Sequence, residues 1–160
     1  MRRHTAERTQ KQINCRREPK MGKIIHSRTV SNLECAGLLK PIIYCCPDKA
    51  TTDSAESLNC ALAEKLSLVK PNRRTMRLAN CFEEILKTLP DNTVIKDFDV
   101  MFNPDYKVDV LKILVDACKR KPFSAIWPGK YEDGRLCYAE DGYSDFKIFN
   151  IAEYDITCVV

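Results

Sequence analysis

Apolar positions recur with two different periods along this 160-residue chain, and each change of period marks an element. Residues 38–46 (LLKPIIYCC) form a short run rich in β-branched and aromatic side chains, closed by Pro47-Asp48, and predict a strand. In residues 54–69, Leu58, Leu62, Leu66 and Val69 recur at helical spacing behind a cap at Asp53 or Ser54. A polar KPNRRT loop follows. Residues 76–89 predict a second amphipathic helix, with Met76, Ala79, Phe82, Ile85, Leu86 and Leu89 on one face, and Pro90-Asp91-Asn92 ends it. Residues 93–102 (TVIKDFDVMF) read as a strand. Residues 108–120 read as a helix with the stripe Val108, Leu111, Leu114, Val115 and Cys118, and residues 122–129 (PFSAIWPG) as a strand ending in a Pro-Gly turn. The last third turns at Asp133-Gly134 and Asp141-Gly142 and ends in a β-rich run, Tyr154 to Val160. This predicts a hairpin or edge strand appended to the sheet. Strands alternating with helices predict one small α/β domain with a mostly parallel sheet.

Charge divides the chain. Residues 1–28 carry nine Lys/Arg against Glu7 and Glu18, a net +7, while residues 29–160 carry 17 bases and 20 acids, a net −3. The front segment is polar and without periodicity. It is expected to be a disordered basic tail, residues 1–28, ahead of a single domain, residues 29–160. Met21-Gly22 offers an alternative translation start within that tail. No run of eighteen apolar residues exists, so no transmembrane helix is expected, and the basic N-terminus lacks the apolar core of a signal peptide. Nine cysteines include no C-x-x-C pair, and the only histidines are His4 and His26. Zinc ligation and a disulfide framework are therefore disfavoured against free thiols serving as small core hydrophobes in a reducing cytoplasm. A redox pair at Cys45-Cys46 is the alternative, and no hydrolytic triad can be assembled.

Parallel α/β sheets bind ligands at the carboxyl ends of their strands, so a phosphate loop is sought after the first strand. The segment there, CCPDKATTDSAES, has Lys49 and Thr51 as weak phosphate-contact candidates but no glycine for the positive-φ turns that aim successive N–H groups at an anion. On a strand, Asp97 and Asp99 would share one face and could hold Mg²⁺ or polarise a water, or simply line a polar face beside Lys96 and Lys112. Lys70, Arg73, Arg74 and Arg77 make a basic cluster. It suits nucleic acid, a nucleotide on a neighbouring subunit or an acidic partner, and equally a solvated helix end. Trp127, the only tryptophan, is either a core lid or a partner anchor.

Three segments, ALAEKLSLVKPNRRTMRLANCFEEIL, IKDFDVMFNPDYKVDVLKILVDACKRKPF and IWPGKYEDGRLCYAEDGYSDFKIF, together resemble the BrxF family, small P-loop-type proteins of bacterial BREX phage-defence systems. The resemblance spans about residues 58–160. It is most specific in F-x-P-x-x-x-x-D-x-L-x-x-L from Phe102 to Leu114 and in W-x-G…L-x-Y-A-E from Trp127 to Glu140. It implies a small three-layer P-loop NTPase-like domain with a degenerate or missing Walker A loop and a β-rich C-terminal end. Lys96-Asp97-Phe98-Asp99 would occupy the Walker B strand, with Asp99 matching the acidic residue there. The function implied is an accessory subunit of a phage-defence complex, impaired in binding ATP and Mg²⁺. Its partners would be other BREX components (a methyltransferase, a large ATPase and a phosphatase-like protein), with DNA reached indirectly, no membrane, and a possible homo-oligomer. The alternatives are an active ATPase using Arg73 or Arg74 across a subunit interface, and a nucleic-acid-binding protein using the basic tail and Arg cluster.

Overall fold

A computed structural model describes residues 22–26 and 39–160. Most of the basic tail and the alternative start at Met21 lie outside the described residues. In chain order the elements are β1 (Lys23–Ile25), β2 (Ile42–Tyr44), α1 (Lys49–Ser54), β3 (Glu56–Ser57), α2 (Asn59–Ser67), α3 (Arg74–Thr88), β4 (Val94–Lys96), α4 (Val110–Cys118), β5 (Ser124–Ile126), β6 (Lys130–Glu132), β7 (Arg135–Tyr138), β8 (Lys147–Asn150) and β9 (Thr157–Val159). Six strands form one sheet in the order β1-β9-β2-β5-β4-β3, and every pairing is parallel. A second, antiparallel sheet contains β6, β7 and β8. The α/β class and the mostly parallel sheet are as the alternation of elements predicts.

Register places Cys158, Ile43, Ala125 and Ile95 side by side across four neighbouring strands, and all four are fully buried. Side chains of α3 and α4 join this row in one apolar cluster. On α3, Leu78, Cys81, Phe82, Ile85 and Leu86 recur at i, i+3, i+4, i+7 and i+8 and are buried. On α4, Asp109 caps the helix by accepting from the Lys112 N–H at 3.0 Å, and six of the nine residues are buried.

The structure redraws several elements. The expected helix over 54–69 starts only at Asn59, because Glu56 and Ser57 pair with Ile95 and Lys96 at the sheet edge and the Leu58 N–H donates to the Lys96 carbonyl at 3.0 Å. Sheet pairing outweighs helix propensity there. The polar loop before α3 is largely helical: a 3₁₀ turn at Pro71–Arg73 runs into Arg74. The buried stripe of α3 excludes Met76, which is 73% exposed, and takes in Leu78 and Cys81 instead. At about 100° per residue, Met76 falls directly opposite Ile85, which lies in the middle of the buried stripe.

The strand expected over 93–102 stops at Lys96. Asp97 takes a left-handed φ of 50°, and Asp99–Phe102 form a 3₁₀ turn that drives Phe98, Met101 and Phe102 into the core. The end of the chain is not an appended edge. β9 inserts between β1 and β2, and the appended element is the β6–β8 sheet. Finally, residues 22–26 do not belong to a structureless tail, since Ile24 and Ile25 pair with Cys158 and Val159. Gly22 permits this approach: a Cβ there would meet the Ile151 carbonyl oxygen at 2.0 Å.

Candidate functional site

The carboxyl ends of β2, β4, β5 and β9 define one edge of the sheet, the edge at which α/β proteins bind ligands. After β2 the chain passes through Cys45, Cys46 and Pro47 to Asp48, which caps α1. Its Oδ1 accepts from the Thr51 N–H at 2.7 Å, while its carbonyl accepts from the Thr52 N–H at 3.0 Å and from Thr52 Oγ1 at 2.9 Å. Hydrogen bonds from Thr51, the backbone N–H first, hold the Asp48 carboxyl below the usual carboxylate range. The helix N-terminus that would face a phosphate thus already carries an anion of its own. Lys49 is exposed on the first turn of α1, and Thr51 spends its N–H on Asp48. Lys96 ties α1 to the sheet by donating from Nζ to the Thr52 carbonyl at 2.7 Å.

Beyond β4 the two aspartates part company. Asp97 is exposed at its left-handed turn, and its side chain makes no hydrogen bond or ion pair among the described residues. Asp99 is half-buried and receives Asn59 Nδ2 on one carboxylate oxygen at 3.2 Å and the Tyr138 hydroxyl on the other at 3.1 Å. Asn59 Oδ1 in turn accepts from the Val100 N–H at 3.1 Å. Asn59 therefore locks the start of α2 to the turn after β4, and Tyr138 locks the end of β7 to the same turn. The Tyr138 ring stacks on Phe102 with centroids 3.8 Å apart. Burial, the Asp99 charge and the hydrogen bond to Asp99 push the phenol up to about 12, so it remains a proton donor at neutral pH.

The premise that Asp97 and Asp99 share a strand face is therefore corrected: a φ of 50° followed by a 3₁₀ turn separates them. No hydrogen bond or ion pair among the described residues joins either aspartate to Lys49 or Thr51, and no three His, Cys, Asp or Glu side chains converge into a metal site. These residues do not fit ATP with Mg²⁺. The loop lacks glycine, the helix terminus is self-capped, and each Asp99 oxygen already has a donor.

Trp127 is 3% exposed, and its Nε1 donates to the Cys137 carbonyl at 2.9 Å. It packs edge-on against Phe102 and Phe149, which fits the core-lid alternative and not the partner anchor. Of the basic cluster, Arg74 bends back to donate from Nε to the Val69 carbonyl at 3.1 Å, while Lys70, Arg73 and Arg77 stay exposed.

All seven described cysteines are free thiols, and Cys81, Cys118, Cys137 and Cys158 are buried, as their reading as core hydrophobes expects. Cys45 and Cys46 are not paired with each other. The Cys158 thiol hydrogen-bonds to Cys45 and lowers its pKa, and the same contact, with burial, pushes Cys158 up.

Asp48 carried a legible cap signature, an acid three residues before Thr51. Asn59 and Tyr138 had no local signal, because each meets Asp99 from about 40 residues away. No helix among the described residues is long and apolar enough to cross a membrane. Set against known proteins, the chain matches no family model, no curated sequence and no solved structure.

Proposed function

We propose that this chain is a P-loop-like domain that no longer uses nucleotide and serves as an accessory subunit in an assembly of other proteins, a phage-defence complex of BREX type. The observation that carries the reading is the self-capped helix after β2: the Asp48 carboxylate accepts from the Thr51 N–H at the helix N-terminus, in a loop without glycine. The sheet order supports a P-loop ancestry. Counted from β2, the parallel strands run 5-1-4-3-2, so the strand before the would-be phosphate loop and the strand before the two aspartates are separated by one later strand. That is consistent with a P-loop sheet, an argument from fold analogy. The defence context rests on the resemblance of residues 58–160 to BrxF.

Isothermal titration of the purified full chain with ATP and Mg²⁺ tests the nucleotide half. No binding is expected at millimolar nucleotide, and micromolar binding lost in Asp99→Ala overturns it. Co-expression of the tagged chain with a BREX methyltransferase and large ATPase tests the other half. A complex that survives gel filtration is the expected result, and separate elution of all three rejects the accessory role.

A further inference from the structure

We propose that the chain associates with further copies of itself head to tail, an apolar knob on one copy entering a cup on the next. This stands apart from the nucleotide and defence readings and uses neither.

The knob lies where α2 turns into α3. Leu68 is 88% exposed and Met76 73% exposed, the two most exposed large hydrophobic side chains among the described residues. Residues 68–77 contain four bases and no acid. Lys70 and Arg73 make no side-chain hydrogen bond or ion pair among the described residues, and Arg73, Met76 and Arg77 follow one another at i, i+3 and i+4 on the outward side of α3. Two exposed apolar side chains in a stretch rich in bases, Lys70, Arg73 and Arg77 among them exposed, fit a surface that combines apolar and acidic side chains.

The same molecule carries such a surface. The β6–β8 sheet turns Tyr131, Leu136 and Phe149 inward and Lys130, Cys137 and Ile148 outward. The loop over residues 139–146 folds beside this outer face and leaves a cup of about 270 Å³, with Cys137, Phe146 and Ile148 as its apolar lining. Glu132, Glu140 and Asp141 are among its lining residues, and the loop over residues 139–146 carries three acids, Asp145 included, and no base. Lys130 and Arg135 also line the cup, but Lys130 leans only loosely on Glu140, at 3.9 Å and well exposed, so an arriving guanidinium can replace it. Tyr143, 67% exposed, extends the apolar area.

Knob and cup differ in shape and charge, and no hydrogen bond, ion pair or ring contact joins them within one chain among the described residues. Two complementary but different patches on one molecule make a heterologous contact, which propagates into a ring or a filament and does not stop at a two-fold dimer. Two side chains in one cup make a small contact by the standard of stable interfaces, so the association is expected to be weak.

Sedimentation of the full chain tests this. Wild type is expected to self-associate, several-fold more weakly when salt rises from about 0.05 to 0.5 M. Leu68→Ser combined with Met76→Ser removes the knob, and Ile148→Glu spoils the cup. Both changes sit on exposed positions, and unchanged circular dichroism checks the fold. Each variant alone is expected to remain monomeric. Mixed, they retain one intact cup and one intact knob and form a 1:1 dimer that grows no further. A wild-type chain that stays monomeric at about 1 mM in low salt, association that both variants leave intact, or a mixture that fails to dimerise overturns the proposal.

Discussion

Tyr138 and Asp99 show how a single pair decides the character of the carboxyl edge. A carboxylate holding one donor on each oxygen is a structural strut, while the same group without donors would be available to a cation. The phenol donates only while protonated. A tyrosine whose folded pKa lies near 12, above its ordinary 10, contributes stability that is fully present below pH 10 and is lost as the pH rises through 12. Tyr138→Phe is therefore expected to cost about 1–2 kcal/mol at neutral pH and to flatten the decline in stability between pH 10 and 12, read by urea unfolding at a series of pH values. Tyr154 donates to Asp109 at 2.8 Å and is also raised, chiefly by burial, so it supplies what decline remains in the variant.

Elements in this protein are short, and their ends are set by contacts from elsewhere. The seam between the parallel sheet and the β6–β8 sheet depends on Trp127 donating to Cys137, and on Gly129, where a Cβ would lie 1.9 Å from the Cys137 carbonyl oxygen and 2.9 Å from Trp127 Nε1. Gly129→Ala must part the two sheets and is expected to cost about 2–4 kcal/mol, with a red shift of the emission of the only tryptophan as the readout. Legibility followed the same logic. α4 could be read from Leu111, Leu114, Val115 and Cys118, and β2 from its β-branched run, because local periodicity and tertiary burial agree there. The carboxyl half of α3 could be read from Phe82, Ile85 and Leu86. Its first turn could not, since Met76 is apolar yet faces outward. T-V-I-K-D-F-D-V-M-F reads on paper as one strand, but the chain bends at Asp97 and buries Phe98, Met101 and Phe102, a demand that arises in the core and not in the segment. Asn59 and Tyr138 reach Asp99 across the fold, so the site they build had no expression in any short window.

At the scale of the whole molecule, the +7 of residues 1–28 against the −3 of the remainder gives the chain a dipolar plan, but the sheet begins inside the basic segment, at β1. β1 shields one side of β9, and its close approach depends on Gly22. Gly22→Val is expected to displace β1 and uncover the β9 edge, costing about 1–2 kcal/mol in urea unfolding and raising light scattering at high concentration, since a bare strand edge pairs with other chains. Placing β9 between β1 and β2 also imposes a timetable on biosynthesis. Of the six strands β1 is the first to leave the ribosome, and its only strand partner among the described residues is the last, so that pairing waits while residues 26–156 are translated. At about 5–20 residues per second that is on the order of ten seconds, during which the nascent chain depends on whatever shelters Ile24 and Ile25.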